Sequence, residues 1–202
     1  MNAPRRLIID GVSGAGKSQT LAALKSQLEP VLPGTFIYEE ETLGEFMGEE
    51  LPRNDLTGRE KCWRLDAVMQ KIEAAGRGKQ PFWVIERFHP TYYALMPEWQ
   101  LYDQIDARLA ELGFGLVLLK LPEQELGGRS LYRKDRDPNQ WASGMTDLYG
   151  SEAGVIEAFN ASQQRRLECL GRTRLPYLEI DTSSAGLGNI RRPYLLIQAC
   201  NH

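Results

Sequence analysis

Histidine and cysteine are scarce in this chain of 202 residues. There are two histidines, His89 and His202, and three cysteines, Cys62, Cys169 and Cys200. Two histidines so far apart argue against a histidine-built metal site. Three widely spaced cysteines, an odd number, predict reduced thiols rather than a disulfide frame or a zinc site. No apolar run approaches the roughly 20 residues of a membrane span, so no membrane partner is expected. Neither sign of charge dominates: 24 Lys and Arg stand against 27 Asp and Glu, a net charge of −3. That argues against a dominant nucleic-acid footprint and leaves room only for a local basic cluster. Internal repeats and low-complexity tracts are absent. Met1 to Arg6 leads directly into a first strand, which predicts no signal peptide and a cytoplasmic protein. A guanine-reading Asn-Lys-x-Asp is also missing, which argues against a GTPase switch. Asp147-Leu148-Tyr149-Gly150 resembles a switch motif only superficially, because it lies far past the strand where a Mg²⁺ carboxylate belongs.

What the chain does have is one complete motif. Gly11-Val12-Ser13-Gly14-Ala15-Gly16-Lys17-Ser18 fits G-x-x-x-x-G-K-[ST] without a mismatch. Arg6-Leu7-Ile8-Ile9-Asp10 before it reads as a short buried strand. After it, Leu21, Leu24 and Leu28 recur at helical spacing. Strand, glycine loop and helix is the context in which the motif has a physical meaning. Glycines let the backbone turn tightly so that its N–H groups converge on phosphate oxygens, and the following helix directs its positive end at the same anion. The pattern predicts a nucleotide site formed by Gly11, Ser13, Gly14, Ala15, Gly16, Lys17, Ser18 and Gln19. Lys17 is expected to reach the β- and γ-phosphates of ATP and the Ser18 hydroxyl to ligate Mg²⁺.

The length suits one α/β domain over residues 1–202, and 42% apolar content supports a sizeable core. Strands are expected near 5–10, 35–38, 81–85, 114–121 and 176–181. Helices are expected near 17–29, 58–75, 98–112 and 151–171. His89-Pro90 is expected to end the apolar run of the third strand, and the apolar tail 190–200 to pack on the sheet. The alternation predicts a five-stranded parallel sheet with helices on both faces.

Three charged stretches would then meet at the carboxyl edge of the sheet, where open α/β folds place their ligands. Glu39-Glu40-Glu41 follows the second strand. It is either a solvated helix start or a source of a base, with Glu40 the first choice and Glu39 the next. Glu86-Arg87 follows the apolar third strand. It is either an ordinary ion pair or a Mg²⁺ carboxylate beside an arginine that grips a phosphate or the acceptor. Arg129, Arg133 and Arg136 recur at near-helical intervals within residues 123–150. They are either a solvated surface or one face of a mobile lid closing over phosphates. Trp63 and Arg64 begin the second helix, and Arg64 is a further candidate grip for an acceptor phosphate.

On the loop at 11–18, Glu86-Arg87 and the arginines of 129–136, the chain resembles the P-loop kinase group of thymidylate kinases and deoxynucleoside kinases. The resemblance implies a P-loop NTPase fold and transfer of the ATP γ-phosphoryl group with Mg²⁺, to a small-molecule nucleoside or nucleotide. In deoxynucleoside kinases an acid ending strand two acts as base and Glu-Arg-Ser follows strand three; here Glu86-Arg87-Phe88 keeps the first two residues. Thymidylate kinases begin that motif with Asp-Arg-Tyr and carry Glu-Pro-Gly-Gly after strand two, which Glu40-Glu41-Thr42-Leu43-Gly44 matches poorly. The three consecutive acids Glu39-Glu40-Glu41 favour a neutral nucleoside hydroxyl as acceptor, with a nucleoside monophosphate as alternative. A hydroxyl carried by a nucleic acid is a third reading, suited by the aromatics Trp63, Tyr92, Tyr93, Trp99 and Trp141 but opposed by the acidic net charge. A homodimer is compatible with all three.

Overall fold

The structure is a computed structural model, and it describes residues 6–28, 36–38, 58–75, 83–132 and 138–183. The first strand, β1 (Arg6–Gly11), runs into the helix α1 (Lys17–Leu28), followed by β2 (Phe36–Tyr38), α2 (Gly58–Ala75) and β3 (Trp83–Glu86). Then come α3 (His89–Leu95), a 3₁₀ turn at Trp99–Leu101, α4 (Asp103–Glu111), β4 (Phe114–Lys120) and α5 (Glu123–Leu131). The helices α6 (Pro138–Tyr149) and α7 (Glu152–Leu170) lead to β5 (Tyr177–Asp181). Among the described residues the strands form one sheet in the order β2-β3-β1-β4-β5, every neighbouring pair parallel. The α/β class expected from the alternating pattern is the class observed.

Apolar alternation explains the two-sided core. Successive side chains of a strand point to opposite faces, so Ile8 joins Ile85, Leu116 and Leu118 on one face, packed by Leu65, Val68, Met69 and Ile72 of α2. Leu7 and Ile9 join Val84, Val117 and Leu119 on the other, packed by Leu21 and Leu24 of α1 and Leu126 of α5. Buried on both faces, β4 is apolar at nearly every position, as a central parallel strand must be.

The apolar run ends with β3 at Glu86, and His89-Pro90 then opens α3, a helix not among those expected. Proline in the first turn of a helix loses nothing by lacking an N–H, because that group has no intrahelical partner there. The single helix expected over 98–112 is a 3₁₀ turn followed by α4, with Leu112 and Gly113 beyond its end. Gly113, at φ 73°, takes the left-handed conformation that closes α4. Buried Asp106 then ties α4 to the approach to β5, accepting from the Thr173 hydroxyl and from the Arg174 backbone N–H at 2.8 Å. The tail 190–200 lies outside the described residues.

The connections place a crevice. From β1 the chain moves to one side for β2 and β3, then crosses to the other side for β4 and β5. A crevice opens where such a sheet reverses direction, at the carboxyl end of β1. In register, Ile9 pairs with Glu86 and Gly11 with Leu119, so the ends of β1, β3 and β4 reach one edge together.

Candidate active site

The motif residues form a compact loop between β1 and α1. Gly11, Gly14 and Gly16 all have positive φ, at 153°, 79° and 90°. At two of them the space is as restrictive as the dihedral. A Cβ on Gly11 would sit 2.6 Å from the Leu119 carbonyl oxygen, and one on Gly14 would sit 2.3 Å from the Arg129 carbonyl oxygen. Lys17 is buried and turned into the bend of its own loop, where Nζ donates to the carbonyls of Gly11 at 2.8 Å and Val12 at 2.9 Å. Burial, and next the positive charge of Arg87, push the Lys17 ammonium down to about 7, against the upward pull of Glu86 and Asp10. Ser18 and Gln19 are exposed at the start of α1, whereas Ala15 is buried beneath the loop.

Beside the loop, β3 delivers Glu86 and Arg87. Glu86 is 6% exposed, so a carboxylate that ends an apolar strand is held out of bulk water at the same edge as Lys17. Arg87 Nε lies 3.8 Å from Glu86 Oε1. Among the described residues Arg87 is the one non-glycine with positive φ, at 59°. That conformation costs an L-residue on the order of 1–2 kcal/mol, so its surroundings must impose it. The Arg87 backbone N–H donates to the Ile9 carbonyl at 3.0 Å, locking the turn against β1.

From the other side, the carboxyl end of α5 rests on the loop. The Ser130 hydroxyl donates to the Ser13 carbonyl at 2.7 Å, and Trp141 of α6 donates from Nε1 to the Ser130 carbonyl at 2.8 Å. Arg129 pairs with Glu125 one turn earlier at 3.2 Å and donates to the carbonyl of Thr182, just past β5. Its Nη2 would lie 3.9 Å from a Cβ on Gly16. Lys17, Glu86, Arg87 and Arg129 are thus gathered around one loop.

Searches against known proteins give a likeness of fold. No protein-family model matches the chain, and no curated protein matches it in sequence. Among solved structures it is similar to a gluconokinase from Sinorhizobium meliloti, at 17% identity over 100% of this chain and 94% of that one, with TM-score 0.52. It is similar to a shikimate kinase from Acinetobacter baumannii in complex with shikimate, at 15% identity over 97% and 93%, with TM-score 0.57. It is similar to a thymidylate kinase from Ehrlichia chaffeensis, at 10% identity over 96% and 97%, with TM-score 0.58. The chain shares its fold with these three proteins. Among the described residues no helix is long and apolar enough to cross a membrane.

Several expected site residues cannot be placed in this fold. Glu39, Glu40, Glu41, Arg133 and Arg136 lie outside the described residues. β2 ends at Tyr38, paired with Ile85, so the chain leaves that strand one register position from Glu86. Arg64 is buried on α2, while Trp63 beside it is exposed.

Asp10, Thr91 and Arg166 were not anticipated. Asp10 is fully buried at the end of β1. One of its oxygens accepts from Arg166 Nε at 2.8 Å and from the Gly11 N–H at 2.7 Å; the other accepts from the N–H groups of Phe88 at 3.3 Å and Thr91 at 3.1 Å. The Thr91 hydroxyl stands 2.9 Å from the latter oxygen. Burial pushes the Asp10 carboxyl up, but Arg166 above all, with Lys17 and Thr91, more than offsets it and leaves the group below its usual range. One sequence signal pointed here: a carboxylate closing the apolar run Leu7-Ile8-Ile9, directly before the glycine loop. Nothing local marks Arg166, which sits in the carboxyl-terminal half of a long helix.

Proposed function

We propose that this chain is an ATP- and Mg²⁺-dependent phosphotransferase that moves the γ-phosphoryl group to a hydroxyl of a small molecule, a nucleoside being the acceptor its motifs favour. The observation that carries this reading is the gathering of Lys17, Glu86, Arg87 and Arg129 around a complete P-loop at the carboxyl edge of the sheet. Transfer of this kind asks the protein for position and charge rather than covalent chemistry. Loop amides and Lys17 hold the β- and γ-phosphates. Phosphate oxygens would also draw the Lys17 ammonium back to its charged form.

The residues present fit Mg²⁺. The described residues hold no cluster of three or more His, Cys, Asp or Glu able to cage a metal. A hydroxyl at Ser18 and a buried carboxylate at Glu86 are a donor set of the kind Mg²⁺ uses when phosphates and water complete its shell. The ion would supply charge neutralisation on the phosphate oxygens. Arg87 orients the transferring group against the acceptor. Arg129, with Arg133 and Arg136 further along the same segment, neutralises charge as the lid closes.

A hydroxyl has a pKa far above 7, so a carboxylate that takes its proton during transfer helps, and Glu40, then Glu39, is assigned that role. A phosphate acceptor needs no base, and three consecutive glutamates would repel it. A second reading, a nucleoside monophosphate acceptor, is favoured by Arg87 and by the similarity in fold to a thymidylate kinase. The similarity to a gluconokinase and a shikimate kinase adds hydroxylated acceptors other than nucleosides to the same test. Release of ADP from Mg·ATP would be measured across nucleosides, their monophosphates and small hydroxylated acids. Acceptor-dependent ADP release with a nucleoside is expected. Turnover confined to monophosphates moves the protein to the second reading, turnover confined to another hydroxylated compound replaces the nucleoside, and failure to bind Mg·ATP overturns the proposal.

A further inference from the structure

Beyond the residues that would meet substrate, a buried network stands directly behind the turn that presents Arg87. We infer that Asp10 and Arg166 are positioning residues for Arg87, holding the turn 86–91 in the backbone shape that sets this arginine beside the P-loop. The inference rests on the phosphotransferase reading of that loop.

The network ties three distant parts of the chain to one turn. Asp10 ends β1 and accepts from the N–H groups of Phe88 and Thr91, which follow Arg87. It does so in place of a local cap: α3 has no side-chain cap of its own, and a carboxylate from another strand meets its first N–H groups instead. Arg166 comes from α7, 156 positions after Asp10. It holds the carboxylate through Nε at 2.8 Å and the Thr91 hydroxyl through Nη2 at 3.2 Å. The Ser162 carbonyl and hydroxyl fix its Nη1 at 3.0 and 2.5 Å. Arg166 is therefore fixed on both sides and cannot swing toward a ligand without breaking four contacts.

Arg87 sits at the centre of this arrangement. Its own N–H is bonded to Ile9, the next N–H is bonded to Asp10, and Phe88 is buried in the core. A left-handed residue persists where its neighbours over-determine it. Here the over-determining groups are the carboxylate and the guanidinium behind it. The same helix α7 also grips the far end of α3, where Arg165 Nη1 donates to the Ala94 carbonyl at 2.9 Å. That contact anchors α3 without touching Asp10, so it separates general anchoring of the helix from positioning of Arg87.

The test uses Mg·ATP alone, reading its dissociation constant by calorimetry and its slow hydrolysis at saturation. The proteins compared are wild type, Arg87→Ala, Arg166→Met, Arg166→Lys, Arg165→Ala and the double variant Arg87→Ala/Arg166→Met. A misplaced group can cost up to about a hundredfold in rate. Arg166→Met should lower hydrolysis by about tenfold to a hundredfold, with affinity for Mg·ATP held within about twofold. Arg87→Ala should cost the same factor, and the double variant no more than either single, because both remove one function. Arg166→Lys should recover part of the rate, and Arg165→Ala should match wild type. If Arg166→Met does not fold, Thr91→Val takes its place in the same cycle. Losses that multiply in the double variant overturn the inference. So does an equal loss in Arg165→Ala, a full rate in Arg166→Met, or an effect confined to affinity. A wild type that binds no Mg·ATP sinks the phosphotransferase reading itself, whereas an active wild type with multiplying losses sinks only the positioning role.

Discussion

Two arginines approach the same phosphate loop and are held in opposite ways. Arg87 occupies a left-handed backbone position, pinned to β1 through Ile9 and backed by Asp10, whose own partner comes from α7. Arg129 lies on an ordinary helix, tethered by an ion pair to Glu125 one turn away and by the Thr182 carbonyl. The first is placed by tertiary contacts from elements that cannot move independently. The second is placed by local helix geometry, by the Thr182 carbonyl and by the hydrogen bond of its neighbour Ser130 to Ser13 of the loop, contacts of the kind that can be exchanged when a ligand arrives. On the phosphotransferase reading proposed above, a rigid side would hold geometry and an exchangeable side would open and close.

The largest expected effect is on the rigid side. Lys17→Ala should retain the fold, checked by circular dichroism, and reduce phosphoryl transfer by about a thousandfold or more, as loss of a preorganised charge does. A folded variant with wild-type turnover would remove the loop from the mechanism. Glu86→Gln keeps the shape and deletes the charge. Activity should fall, and the Mg²⁺ concentration for half-maximal rate should rise by about tenfold to a hundredfold. An unchanged Mg²⁺ titration at full activity would leave Glu86 a structural residue.

On the exchangeable side the effects should be smaller and fall on rate. Arg129→Ala should lower kcat by about tenfold while the KM for ATP moves little, as the proposed lid role, acting after closure, requires. A normal kcat would make the end of α5 a surface rather than a lid. Ser130→Ala removes one hydrogen bond to the loop, a contact worth on the order of 1 kcal/mol. It should change rates by no more than about fivefold, and it should shift Trp141 emission, since Trp141 donates to the same residue. A fall as large as that of Lys17→Ala would mean that α5 belongs to the rigid side.

The finest distinction is protonic. The Lys17 amine titrates at about 7 in the folded protein against an ordinary 10.5. Between those values the unfolded chain holds a proton that the folded chain has lost, so stability from this group rises with pH through that window. Below it both states are protonated and the full cost of burying the charge remains. The stability of wild type relative to Lys17→Met should therefore increase from pH 7 toward 10. Phosphates restore the charge, so Mg·ATP binding at pH 8 should take up as much as about one proton, read by calorimetry in buffers of different ionisation enthalpy. Lys17→Met should take up none.

Much of this arrangement was legible in the chain. The loop at 11–18 declares itself because a tight turn that aims amides at an anion demands glycines, a lysine and a hydroxyl in one order. The face Leu65, Val68, Met69 and Ile72 is buried as its spacing requires. Glu86 stands out as a carboxylate at the end of an apolar run. The helix α3 was not legible, because Pro90 interrupts a helix but also suits its first turn, and which rule applies depends on what caps the N-terminus. Here that is Asp10, 78 positions before Phe88 and 81 before Thr91, neighbours it meets only in three dimensions.

By itself, then, the sequence determined the parallel α/β class, the phosphate loop and the strand ends that carry Glu86 and Arg87, because all of these are encoded within a few residues of one another. Tertiary structure alone decided that Asp10 is a buried cap, that Arg166 rather than a neighbour pairs with it, and that Ser130 rests on Ser13. Apolar periodicity records which face of a helix is buried, but it carries no information about which distant polar group that face will meet. A buried charge must find a partner wherever the fold supplies one, and only the folded chain shows where that is.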